Sequence, residues 1–550
     1  MPKPARVPFL IALGLTAAPF AVAVVKLLTV HQHLYLGGDL ALLDLDVRSA
    51  LRWHLLLGPY DRYGWHHPGP ALAYLLSVVA RVVGPGAVAD SIGIAAINGA
   101  AALGVVALVR RRAGDALALW AAGCVALLCI WIRPANLVAP WGPNVLTLPT
   151  VFLGVLCADA ARNCRTSLLA ALVVATFLVQ TQLGTTPIVA TMLAVAVGSA
   201  IWKRHRCGVA KKASKPARAG RWALAAVLVA AWVPPVIEQV QRLGAKAQPP
   251  VVSALHPDLA QVDPSQGNFV AIARFFLATH PGHSLGTVLA NLVPDPLALA
   301  GLMCAAALAV VYGRSVAGGL PARLGALSIL AAAATAFAVT RIVGPVQGFD
   351  LTWDMAVPAL GLLGAGTTAI ARADQALARR ALRRIGPLGA SGDADQTGLH
   401  TSRSGGRPLR VRLPAASLVV TLVVALGTGS ASIASLAAWQ ARSISWSSVA
   451  AEWRYVGPRL SRARSVLVLP YNGLPYGAAA GLADELTARG VTVTVPRAWA
   501  PEFGLARVSR GRAQFEVLLA QGGRGWSGLE PVPGADEGLR LAVVTLDPPA

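Results

Sequence analysis

The chain has 550 residues, of which 55% are hydrophobic and only 13% charged, with a formal net charge of +23. A water-soluble protein of this length carries about a quarter charged residues, so the composition excludes an ordinary soluble enzyme. It also argues against a nucleic-acid partner, because Lys and Arg sit in short blocks between apolar runs, as a membrane-topology signal places them.

An apolar helix from about Val7 to Val30 opens the chain. Its basic start is weak (Lys3, Arg6) and no clear small-residue cleavage site follows, so it reads as a retained first membrane helix. The next forty residues, His31 to Pro70, hold Asp39, Asp44, Asp46, Asp61, Arg48, Arg52, Arg62, His66 and His67. Acids and imidazoles gathered beside a membrane, in a chain poor in charge, mark the place where chemistry is expected. Two amphipathic helices are predicted in this loop, near 40–57 and 68–83. The second is too short to span at 1.5 Å per residue and ends at Gly84–Pro85–Gly86. If it lies on the outer membrane surface, the Arg110–Arg111–Arg112 block faces the cytoplasm.

Further spans are predicted near 87–109, 116–132, 144–161, 166–181, 184–202, 222–238, 295–312, 324–341, 351–371 and 415–437, about eleven with the first. The basic blocks at 110–112, at Arg162 with Arg165, at 203–221 and at 372–412 put the N-terminus in the cytoplasm and the C-terminus outside. Residues 239–294 form a long outer loop. Residues 373–414 form a cytoplasmic linker, whose stretch 386–409 has the Gly, Ser, Asp and Arg composition of a flexible segment.

From about Trp439 the pattern changes. Residues 465–469, 491–495 and 541–545 read as strands and 476–489 as a helix ending at Gly490. Gly473, Gly477 and Gly481 are spaced too widely for a dinucleotide fingerprint. The fold class is therefore a polytopic α-helical membrane protein with a small extracytoplasmic α/β domain. The division runs 1–438, with an outer first loop over 31–86, and 439–550. The six cysteines, Cys124, Cys129, Cys157, Cys164, Cys207 and Cys304, fall in helices or basic loops and read as packing residues.

This layout resembles the GT-C superfamily of membrane glycosyltransferases, and within it the protein O-mannosyltransferase and aminoarabinose transferase type. Gly38–Asp39 and Asp44 stand where those enzymes carry an acidic motif. His67–Pro68–Gly69–Pro70 stands where they carry His-Pro-Pro at the start of the second surface helix. The stretch from Ala71 to Asp115 matches their surface helix, glycine turn, second span and basic inner turn. The whole chain also resembles uncharacterised multi-span proteins of actinobacteria. Two departures are visible. Leu40 follows Asp39 where the family's acidic pair is adjacent, and the second outer loop, 133–144, contains no acid, which leaves a divalent metal an open cofactor. The resemblance implies a cell-membrane enzyme that moves a sugar from a polyprenyl-phosphate donor to an envelope glycan, lipid or protein acceptor on the outer face.

Such a transfer needs a base for the acceptor hydroxyl and cations for the donor phosphate. Asp39, the first acid after the first span, is the expected catalytic base; its bland alternative is a helix N-cap. Asp44 either bonds the acceptor or pairs with Arg48 one turn on, while Asp46 reads as solvated. His66 and His67, with Arg62 in the same loop, are expected to touch donor or acceptor, or else to make structural hydrogen bonds. Two adjacent histidines are not a metal pair, which needs a spacing of about three or four, so no metal ligand is assigned. Tyr60, Tyr63 and Trp65 read as an interfacial aromatic belt. Arg341 and Arg133, both at outer helix ends, are expected phosphate clamps or snorkelling anchors. Glu238 is expected to line the cavity or pair an arginine, and Gln180 and Gln182 are weaker candidates.

Two other functions fit the composition. One is a transporter or lipid flippase, against which stands the absence of an internal repeat. The other is a noncatalytic envelope-assembly protein displaying residues 439–550.

Overall fold

The computed structural model describes residues 7–61, 63, 65–162, 164–207, 215–243, 251–252, 261–262, 267–278, 296–343, 346–385, 415–471, 475–511, 513–521, 528–535 and 538–546. Each predicted span has its helix: Val7–Leu28, Ala87–Ala113, Asp115–Ile132, Thr147–Ala160, Arg165–Thr181, Thr186–Cys207, Lys215–Leu243, Pro296–Tyr312, Leu320–Thr340, Ala356–Ile385 and Ala415–Ala438. Among the described residues, 9 helices are long and apolar enough to cross a membrane. Arg165–Thr181 and Pro296–Tyr312, at 17 residues each, sit at the short end of what a bilayer core of about 30 Å requires. Small side chains let the helices approach closely, as with the buried Ala118, Ala121 and Ala122 of one helix and Ala425 of another. The linker stretch 386–409, most of the loop 239–294 and Arg62 lie outside the described residues.

The first loop folds as two short helices and a hairpin. The first helix, Gly38–Leu51, is shorter than the predicted 40–57. It stops because Trp53 turns into the left-handed region (φ 62°), letting the Trp53 and His54 N–H groups cap the carbonyls of Ala50 and Ser49 at 3.0 and 3.1 Å. The chain then doubles back: Gly58 and Asp61 donate to the carbonyls of His67 and Trp65, and His67 donates to that of Pro59. The second helix, Ala71–Val83, has 13 residues and rises about 20 Å, too little to span. It buries Leu72, Leu76 and Ala80 and leaves Leu75, Val78 and Val82 exposed, the pattern of a helix lying in an apolar surface.

Two short strands pair in the long loop, β1 (Val251–Val252) and β2 (Gln261–Val262). The C-terminal region holds a five-stranded sheet of β3 (Ser465–Pro470), β4 (Thr492–Thr494), β5 (Phe515–Gln521), β6 (Glu530–Pro531) and β7 (Leu539–Thr545), in the order β4-β3-β5-β7-β6. Strands β3, β4 and β5 run parallel; β7 is antiparallel to β5 and β6. The helix Tyr476–Ala488 makes the crossover from β3 to β4, as a parallel pair requires. Its buried face, including Leu482, Ala483 and Leu486, gives this domain its core together with Val466, Val468 and Val517. The sequence reading did not include the central strand β5 or the short β6.

Candidate active site

A cavity of about 1360 Å³ opens between the first loop, the ends of several long helices and the C-terminal domain. Asp39, in the first turn of Gly38–Leu51, is solvent-exposed on its wall. Its two oxygens are held from opposite sides. The Tyr476 hydroxyl donates to Oδ1 at 2.6 Å and the Trp141 indole donates to Oδ2 at 3.1 Å. Each oxygen keeps a lone pair for a further donor. Burial, and then the Asp39 carboxylate, push the Tyr476 phenol well above its usual range, so it stays a donor.

The loop hairpin carries the histidines into the same cavity. Gly69 permits this, because a Cβ there would stand 2.4 Å from the Gln180 side chain. His66 shares its Nδ1 with the Gly58 carbonyl at 3.0 Å, and its backbone makes a reciprocal pair with the Asn268 amide at 2.9 and 2.8 Å. Asn268 in turn donates its backbone N–H to Glu238 at 3.2 Å, and Glu238 accepts from Arg242 Nε at 3.3 Å. Burial lowers the pKa of both imidazoles, that of His67 to about 3. Arg341 reaches the cavity from the end of Leu320–Thr340. Tyr63 anchors the adjoining turn, its hydroxyl bonding both the carbonyl and the N–H of Val343 at 3.0 and 3.1 Å.

The structure thus brings together Asp39, His66, His67, Glu238 and Arg341 on one cavity. Two sequence candidates stand elsewhere. Asp44 is fully buried and does not line the cavity; it accepts from Arg48 Nε at 2.6 Å. Helix periodicity explains this, since Asp44 is five residues from Asp39 and so turns toward the protein rather than the cavity. Arg133 is exposed at the end of Asp115–Ile132, away from the cavity lining. Arg62 is not among the described residues.

Asp46, read from sequence as solvated, is half-buried on the cavity wall, and burial pushes its pKa up to about 7 against the pull of Arg507. Arg507 crosses from the C-terminal domain, donating to the Leu45 carbonyl at 3.0 Å and to Ser49 Oγ at 3.2 Å. Tyr476, Glu502, Arg507, Trp141 and Arg242 also line the cavity and were not singled out by sequence. No local pattern marks them, because they reach the site only through long-range docking. Among the described residues, no group of three or more His, Cys, Asp or Glu side chains is placed to hold a metal ion. The two groups on the Asp39 oxygens, an indole and a phenol donor, are not a metal-binding set either.

No protein-family model matches the chain. No curated protein matches it significantly. Solved structures do. The crystal structure of ArnT, an aminoarabinose transferase, from Cupriavidus metallidurans bound to undecaprenyl phosphate is similar over 98% of this chain and 98% of that one, with a TM-score of 0.57 at 13% identity. The same protein in the apo state is similar over 96% and 97%, with a TM-score of 0.50 at 11% identity. The chain has the GT-C fold, shared with ArnT nearly from end to end.

Proposed function

We propose that this protein is a membrane glycosyltransferase that moves a sugar from a polyprenyl-phosphate donor to a hydroxyl-bearing acceptor on the outer face of the membrane. The observation that carries this reading is the Asp39 carboxylate, exposed on the wall of a large cavity and oriented by two donors. The fold it shares with ArnT, bound there to undecaprenyl phosphate, supports the donor class. In the reaction, the bond from the sugar's anomeric carbon to the donor phosphate breaks and a bond from that carbon to the acceptor oxygen forms. Asp39 takes the acceptor's proton, a contribution of roughly 10²–10⁴-fold. Arg341 stabilises the departing lipid phosphate through a charge-assisted hydrogen bond. His66 and His67, held neutral by burial, offer hydrogen bonds rather than charge. The positive-inside rule places the basic blocks in the cytoplasm, and hence the site and the C-terminal domain outside.

The test is transfer of radiolabel from a polyprenyl-phosphate sugar in membranes containing the protein. Wild type forms a new glycosidic product, and Asp39→Asn, still folded, loses it by at least about 10²-fold. Unaltered transfer in that variant removes Asp39 as the base. Gradient-driven movement of intact cargo, with no glycosidic product, turns the reading to a transporter.

A further inference from the structure

Asp39 and Tyr476 lie 437 residues apart in sequence, yet their side chains meet at 2.6 Å. Nothing local aims the phenol. Its ring stacks on that of Trp499 (centroids 6.2 Å apart, planes within 5°), and Trp499 is itself buried, its indole donating to the Pro470 carbonyl at 3.3 Å. Further along the same helix, Asp484 Oδ1 lies 3.4 Å from Arg48 Nε. Asp39 and Arg48 are separated by about 13 Å of helix, and Tyr476 and Asp484 by about 12 Å. The helices Gly38–Leu51 and Tyr476–Ala488 therefore run side by side in the same direction, tied at both ends. Arg507 adds a third tie, to Leu45 and Ser49.

We infer that Tyr476 is a positioning residue for Asp39, supplied by the C-terminal domain, and that docking of this domain completes the catalytic site; this rests on the reading of Asp39 as the base. A carboxylate held by one indole alone turns about its own torsion. With a donor on each oxygen its plane is fixed, and the remaining lone pairs face the cavity. Glu502 and Tyr60 are the other titratable groups beside Tyr476; a carboxylate and a second phenol, they favour the neutral, donating phenol.

The full-length protein serves for the test. Tyr476→Phe deletes one oxygen and keeps the ring on Trp499. The expected result is a kcat lower by about ten-fold or more, with KM for both substrates little changed. Unchanged kcat overturns the role. So does a raised KM alone, the mark of substrate contact. A second measurement needs no turnover. The ultraviolet difference titration of wild type against Tyr476→Phe isolates one phenol, and Asp39→Asn should bring its ionisation to lower pH; no change overturns the pairing. A wild type that transfers no sugar refutes the base and its positioning together, and the titration distinguishes that failure from a missing Asp39–Tyr476 bond.

Discussion

Nδ1 of His67 accepts the backbone N–H of Leu183 at 3.3 Å, joining the first loop to a turn 116 residues away. This bond assigns the imidazole proton to Nε2, which lies 3.7 Å from an Asp61 carboxylate oxygen. Burial, reinforced by His66, lowers the pKa from 6.5 to about 3. Because the folded value is depressed, the stability this histidine contributes is complete above about pH 6.5 and is lost as the pH falls toward about 3. Thermal unfolding followed from pH 7 downward should show the melting temperature falling in wild type and falling less in His67→Gln. Parallel curves for the two proteins would contradict a buried neutral imidazole.

Arg48 stands between two acids, Asp44 at 2.6 Å and Asp484 at 3.4 Å, and Asp44 is fully buried. Arg48→Ala leaves the Asp44 charge buried without this guanidinium, a loss of about 3–5 kcal/mol. Its melting temperature should drop strongly. Asp44→Asn should also lower stability while leaving KM for donor and acceptor unchanged. An altered KM in a protein of normal stability would return Asp44 to the substrate site.

Asp46 and Arg507 face each other across the domain boundary. Arg507→Ala removes the guanidinium's hydrogen bonds to Ser49 Oγ and the Leu45 carbonyl, which still bond each other, for about 1–3 kcal/mol. Limited proteolysis should then cut faster within residues 500–511. The Asp46 pKa of about 7 is raised above its usual 3.8, so the stability it contributes is complete below about pH 3.8 and is lost as the pH rises from there to about 7. Asp46→Asn should flatten the melting-temperature curve between about pH 4 and pH 7; a curve as steep as wild type's would exclude Asp46 as its source.

Gly37 lies where a Cβ would come within 2.4 Å of the Trp446 ring. Gly37→Ala should force the indole aside and loosen the contact between the first loop and the C-terminal domain, at about 1–3 kcal/mol. Because Asp39 is two residues on, transfer should fall with it, and Trp446→Leu in the same chain should recover part of both. No loss of stability in Gly37→Ala would show that the indole moves freely.

The apolar runs alone determine the membrane helices, because about twenty consecutive apolar residues have few alternatives in water or lipid. The lying helix 71–83 was equally legible, its length being set by Gly84–Pro85–Gly86. Asp39 and the histidines were visible as charge where charge is scarce. What covers the Asp44 face was not, since periodicity sets Asp44 and Asp39 on different faces but does not say which face meets the cavity and which meets another domain. Nor could local sequence reveal Tyr476 or Arg507, ordinary residues of a small α/β domain. They enter the site only because two parallel helices, Gly38–Leu51 and Tyr476–Ala488, pair their polar side chains over more than four hundred residues of intervening chain. Periodicity and composition are local quantities, whereas a site assembled from two domains is decided by packing between surfaces that no local pattern relates.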